Sequence, residues 1–112
     1  MPALPPAEVL GRQRQGAALL DTRNATLFCS GHIPGSIQIG LGGQFAAWAS
    51  AILGLDRELI LVAEDRKAAD EARIRLARVG IERVVGMLDD GIAGWARVSL
   101  PLDFIDQVRC RS

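Results

Sequence analysis

Four consecutive large aliphatics, Leu59-Ile60-Leu61-Val62, followed at once by Ala63-Glu64-Asp65-Arg66-Lys67 and then by a helical pattern, constrain this chain more than any other feature. An uninterrupted apolar run of that length suits a strand covered on both faces, as in a parallel sheet. From Asp65 to Gly80 the period changes. Ala68, Ala72, Leu76 and Val79 recur as a helical stripe, with Asp70, Glu71, Arg73, Arg75 and Arg78 mostly off it and Ile74 outside the pattern. In an open α/β sheet, the loop leaving the carboxyl end of a central strand for a helix is where ligands bind. Unpaired N–H groups of the helix's first turn and the helix dipole favour an anion there. A nucleophilic enzyme of this design places a thiol or hydroxyl at the start of the loop. This loop offers Ala63, Glu64 and Asp65 instead.

The remaining chain alternates strand and helix patterns. Met1 to Pro6 reads as an extended, proline-rich lead-in, and Ala7 to Gln15 as a short helix with Val9 and Leu10 inward. Ala17 to Leu20 is a short buried strand ending in Asp21-Thr22-Arg23. Asp21 and Arg23 are expected to tie down separate loops rather than to pair directly or to act as acid and base, since no reacting group is identified within their reach. Asn24 to Ser30 is a single-turn helix, and Gly31-His32-Ile33-Pro34-Gly35 a fixed turn. His32, the sole histidine, is expected to hydrogen-bond loop backbone.

Ser36 to Gly40 alternates as a strand. Gln44 to Leu53 is a helix with Phe45, Trp48, Ala49 and Ile52 on its core side. Gly80 closes the helix after the organising loop, and Arg83 to Leu88 is the last strand. Asp90 is the expected N-cap of a final helix, Ile92 to Val98, with Trp95 inward and Pro101 beyond its end. The pattern predicts an α/β sandwich with a mainly parallel sheet of four or five strands.

Length and composition bound the function. The 112 residues, 49% hydrophobic and 23% charged, make one globular domain. Thirteen basic residues balance thirteen acidic ones, which removes the electrostatic case for nucleic acid or an anionic membrane. The longest apolar run, Phe45 to Leu55, is too short to cross a bilayer and no leader is read at the start, so a cytoplasmic protein is expected. One histidine and two separated cysteines give no metal set, and no cofactor is expected. Cys29 and Cys110 are expected as free thiols, because a domain this aliphatic needs no staple.

The ordered motifs Leu20-Asp21-Thr22-Arg23, Gly31-His32-Ile33-Pro34-Gly35-Ser36, Leu59 to Val62 before a loop and helix, and Leu88-Asp89-Asp90-Gly91 with Trp95 resemble those of rhodanese-like domains. The resemblance runs from about Ala7 to Trp95. It implies a three-layer sandwich with helices on both faces of the sheet, and makes Asp21, Arg23, Gly31, His32, Pro34, Gly35, Gly91 and Trp95 structural motif positions. In active members a cysteine opens the loop after the central strand, takes up sulfane sulfur as a persulfide and passes it to cyanide or another thiol. Aligned through Ala72, Leu76 and Gly80, that position falls on Ala63. The loop is degenerate over Ala63, Glu64, Asp65, Arg66, Lys67, Ala68 and Ala69, and the same change argues against the related cysteine phosphatases.

Leu61-Val62-Ala63-Glu64-Asp65, with Arg75 to Gly80 and Val84-Val85-Gly86, is also similar to the cysteine-less rhodanese-like domain behind a metallo-β-lactamase-fold module in bacterial persulfide dioxygenase-type fusions. The resemblance implies a catalytically inactive domain with a structural or regulatory role in persulfide metabolism, serving a protein partner or a covalently fused sulfur-handling module. The chain is read as one domain over 1–112, with residues 99–112 a tail that leads elsewhere, as a linker in a longer parent would.

Two other readings stand beside this one. A sulfurtransferase would use a displaced thiol, Cys29 or Cys110. Cys29 sits beside Phe28 in an apolar setting that disfavours a thiolate, and Cys110 lies between Arg109 and Arg111. A small-anion sensor would use Arg66 and Lys67 with the helix N-terminus, against the acidic pair before them.

Overall fold

The computed structural model describes residues 2–42, 44–54 and 56–105. Strands β1 (Ala3–Leu4), β2 (Ala18–Asp21), β3 (Ile37–Gln38), β4 (Leu59–Val62) and β5 (Val84–Leu88) form one sheet in the order β1-β5-β4-β2-β3, every neighbour parallel. Helices α1 (Pro6–Arg14), α2 (Ala25–Ser30), α3 (Phe45–Leu53), α4 (Arg66–Arg78) and α5 (Gly91–Arg97) connect and cover it. The expected architecture holds, with five strands.

Strand alternation divides the core in two. Leu59 and Leu61 of β4, with Ala18 and Leu20 of β2, face Phe45, Ala49 and Leu53 of α3 and Ala69, Ala72 and Leu76 of α4. Ile60 and Val62, with Leu19, face the other way onto Val9 of α1, Ile33 and Trp95 of α5. The aliphatic run Leu59–Val62 is thus covered on both sides, as a central parallel strand requires.

Four sequence expectations give way. Residues before Pro6 are more than a lead-in: Ala3–Leu4 adds a strand to the edge of β5, and Leu4 is buried. Gly86 makes room for it, since a Cβ there would stand 2.7 Å from Leu4 Cγ and 2.8 Å from Pro2 O. Trp48 and Ile52 are 58% and 54% exposed rather than core residues. The buried face of α3 is the i, i+4, i+8 row Phe45, Ala49, Leu53, and the two-residue edge strand β3 is too short to cover the flank beside it. Val79, at the end of the expected α4 stripe, is likewise 37% exposed. Asp90 precedes α5 but makes no side-chain cap; it lies in the left-handed region at φ 58° and pairs instead with Arg97, Nη1 to Oδ2 at 2.9 Å.

The tail does not lead away at first. Asp103 forms an antiparallel bridge with His32, and Trp95 Nε1–H donates to Pro101 O at 2.9 Å. The rest of the expected continuation, including Cys110, lies outside the described residues.

Candidate functional site

In chain order β3 follows β2 on one side while β4 returns to the other, so the sheet has its switch point between β2 and β4. The carboxyl ends of these strands open there into a crevice, the position where open α/β sheets hold ligands. Thr22 and Asn24 come from the end of β2, Gln38 from β3, and Glu64 and Ala68 from the loop and helix after β4. The cavity they line measures about 510 Å³.

The loop after β4 is fixed by its own residues. Ala63 is buried at the strand's end. Asp65 adopts an extended backbone, φ −155° and ψ 175°, and its Oδ1 accepts the Ala68 N–H at 2.7 Å as the N-cap of α4. One of the orphan donors of the helix's first turn is therefore already satisfied by a carboxylate of the chain. The Arg66 guanidinium points along the helix and across to β5, with Nε 3.7 Å from Asp70 Oδ1 and Nη1 3.5 Å from Met87 Sδ.

A second cavity of about 320 Å³ lies on the other side of the loop, against Met87 and Gly91. Glu64, Asp65, Asp89 and Asp90 line it with Arg66, and of the four carboxylates Asp90 is paired with Arg97. An incoming anion meets net negative charge there. No group of His, Cys, Asp or Glu suited to a metal ion occurs among the described residues. Gly91, at φ 57°, brings the turn after β5 against the loop: a Cβ at Gly91 would lie 3.3 Å from Ala63 O.

Asp21 and Arg23 pair directly, contrary to the expectation. The chain leaves its extended path after Asp21, and the Arg23 N–H turns back to Asp21 Oδ1 at 3.0 Å. This Asx-type turn brings the guanidinium over the carboxylate, Nη2 to Oδ2 at 2.7 Å and Nε to Oδ1 at 3.0 Å. Arg23 Nη2 also donates to Gly31 O at 2.8 Å, and Gln38 Nε2 to Arg23 O at 2.8 Å. Three segments around the crevice are tied through one buried pair. Thr22 Oγ1–H and N–H both reach Val62 O, at 3.2 and 2.8 Å, which fastens β2 to the end of β4.

His32 stacks on Phe28 with ring centroids 3.9 Å apart, and its Nδ1 lies 2.9 Å from Phe28 O. A carbonyl only accepts, so Nδ1 carries the proton. Pro34 O accepts from Gln13 Nε2 at 2.8 Å, which anchors the turn closed by Gly35. Gly31, His32, Pro34, Gly35 and Trp95 thus brace the side opposite α3; of the stretch from Ala63 to Ala69, whose last four residues are the first turn of α4, Glu64 and Ala68 face the crevice and Ala69 is buried in the core. Cys29 is buried and disulfide-bonded, so the expectation of free thiols fails there.

Thr22, Asn24, Gln38 and the Gly40-Leu41-Gly42 segment were not singled out from sequence as lining residues. The available signal was positional: each follows or ends a strand at its carboxyl end.

Comparison with known proteins places this architecture. Residues 5–98 match the rhodanese-like domain family. The chain belongs to that family. It is similar to the thiosulfate sulfurtransferase GlpE of Pseudomonas savastanoi pv. phaseolicola, 32% identical over 92 residues covering 82% of this chain and 84% of the relative. Among solved structures it resembles the Alr3790 protein of Anabaena sp., with 25% identity, a TM-score of 0.79, and 94% of this chain and 85% of that one covered. A thiosulfate sulfurtransferase from Pseudomonas aeruginosa shares the fold at 21% identity and a TM-score of 0.80, with 94% of this chain matching 20% of that one. The rhodanese-like segment 5–98 excludes β1 and the segment after α5, both of which pack onto it here.

Proposed function

We propose that this rhodanese-like domain does not transfer sulfur at the loop after β4 and instead serves a sulfur-handling partner, as a separate protein or as a module of the same polypeptide. The observation that carries the reading is the loop itself. The family's cysteine position falls on Ala63, and the neighbouring helix terminus is capped by Asp65. Alanine holds no persulfide, and a sulfane anion would meet Glu64, Asp65, Asp89 and Asp90. The similarity of Leu61 to Asp65 to cysteine-less domains of metallo-β-lactamase fusions supports a role in persulfide metabolism and a cytoplasmic setting. No helix among the described residues is long and apolar enough to cross a membrane.

The relative named a thiosulfate sulfurtransferase favours a second reading, in which this chain transfers sulfur through Cys29 or Cys110. The disulfide at Cys29 counts against that sulfur as a resting nucleophile. Intact mass after incubation with thiosulfate, and separately with glutathione persulfide, discriminates between them when followed by release to cyanide. The non-catalytic reading expects no transferable sulfur in the wild type, Cys29→Ala or Cys110→Ala. Release to cyanide that one of these substitutions abolishes overturns it.

A further inference from the structure

Helix α3 overhangs the edge of the sheet. Its row Phe45, Ala49 and Leu53 packs onto the strands, while Trp48 and Ile52 stand 58% and 54% exposed on the flank beside β3, the last strand on that side. A groove of about 490 Å³ is lined by Ile39 next to β3 and by Phe45, Trp48 and Ile52 of α3. The strand edge next to it is open. Ile39 N–H donates to Asp21 O at 2.9 Å, which turns the amide groups of Ile39 toward β2. By the alternation of a strand, the N–H and C=O of Gln38 then point away from β2, to the side where the sheet has no further strand.

The groove is continuous with the crevice at the switch point, because Gln38, Gly40 and Gly42 line both. Of the described residues lining the two, Glu64 alone carries a charge, and its carboxylate has no hydrogen-bond or ion-pair partner among the described residues. The nearest cation on the α4 side, Arg75, is already engaged: it donates to Gly42 O and lies 5.3 Å from the centre of the Phe45 ring.

We propose that an extended segment of a partner protein adds to the free edge of β3, laying an apolar side chain on Trp48 and Ile52 and reaching Glu64 with a lysine or arginine. The proposal rests on the reading that the domain serves a partner. Main-chain bonds to Gln38 set the register of such a segment, and the two cavities select its side chains. Charge narrows the choice, since an acidic segment would meet the Glu64 carboxylate unpaired. A second copy of this chain fits less well. Trp48 and Ile52 expose roughly 200 Å² between them, against the ~800 Å² per partner of a stable interface. The matching edge of a second copy, Ser36 to Gly40, also has no basic residue to offer.

The test titrates the isotopically labelled full chain with two blocked peptides, Thr-Lys-Thr-Leu-Thr and Thr-Lys-Thr-Thr-Thr-Leu-Thr, which hold the two anchor side chains on one face at two spacings. At least one is expected to shift the amide signals of Gln38 and Gly40 and the indole signal of Trp48 while the indole signal of Trp95 stays in place. Glu64→Lys and Trp48→Ala are each expected to weaken this binding by roughly tenfold or more, and so is glutamate in place of the peptide's lysine. If neither peptide shifts these signals, the proposal is overturned. Binding that Glu64→Lys leaves unchanged overturns it too, as does self-association of the chain that Trp48→Ala abolishes, which would give this face to a second copy. Sulfur release to cyanide, measured separately, reports on the non-catalytic reading, so its failure and the failure of this docking site are told apart.

Discussion

Arg23 Nη2 bridges Asp21 Oδ2 and Gly31 O, at 2.7 and 2.8 Å, so one buried guanidinium joins the end of β2 to the turn after α2. The Asp21 side chain is 1% exposed and that of Arg23 9%. Removing one member leaves an uncompensated charge in the interior. Arg23→Ala is expected to cost about 3–5 kcal/mol in urea unfolding. Replacement of both residues by apolar ones of similar volume is expected to cost less than either single change, a sign of coupling that a double-mutant cycle reads directly.

Asp65 caps α4 from an exposed position, so its contribution is local. Asp65→Ala is expected to destabilise the fold by about 1 kcal/mol, and Asp65→Ser by only a few tenths, because a hydroxyl also accepts the Ala68 N–H. Chemical denaturation of the three proteins checks the order.

Restoring a thiol tests what else the loop lacks. Ala63→Cys is expected to leave thiosulfate:cyanide transfer at background, since Glu64 and Asp65 disfavour both the thiolate and the persulfide anion. Adding Glu64→Ser and Asp65→Gly to that variant is expected to raise thiocyanate production. Full activity from Ala63→Cys alone would mean that the acidic pair is indifferent to the chemistry.

The two tryptophans separate surface from core. Trp95 is 1% exposed with its indole N–H bonded to Pro101 O, and Trp95→Ala is expected to cost about 3–5 kcal/mol. Trp48→Ala, at a site 58% exposed, is expected to fall within about 0.5 kcal/mol of the wild type. Thermal unfolding of the pair provides the comparison.

These contrasts mark what a sequence can disclose. Leu59–Val62 and α4 were legible because a fully buried strand and a helix with Ala72 and Leu76 on its inner row each impose a period on composition. Leu20, Leu61 and Phe45 were legible for the same reason. The Asp21–Arg23 pair was open to discovery, because residues two apart in an extended segment share a face; the Asx-type turn that then seats the guanidinium on the carboxylate depends on side-chain geometry that no period reveals. Trp48 was misread because a helical stripe says nothing about how far the sheet beneath extends, and β3 ends too soon to cover it. Strand β1 has two residues between prolines, too few to carry any period. At the crevice, Ala63 and the acidic loop were readable, whereas Thr22 and Gln38 became lining residues only through the order of the strands.

Strand β1 also sets an order of events during synthesis. Ala3 and Leu4 are made before the other strands of the sheet, yet their partners Met87 and Leu88 belong to its last strand in chain order. Strands β2, β3 and β4 find one another across shorter stretches of chain, with less loop-closure entropy to overcome. Residues 3 and 4 are therefore expected to wait, unpaired, while the centre of the sheet assembles. Gly86 keeps open the space into which Leu4 settles, so the pairing of β1 with β5 is expected to close the sheet rather than to nucleate it.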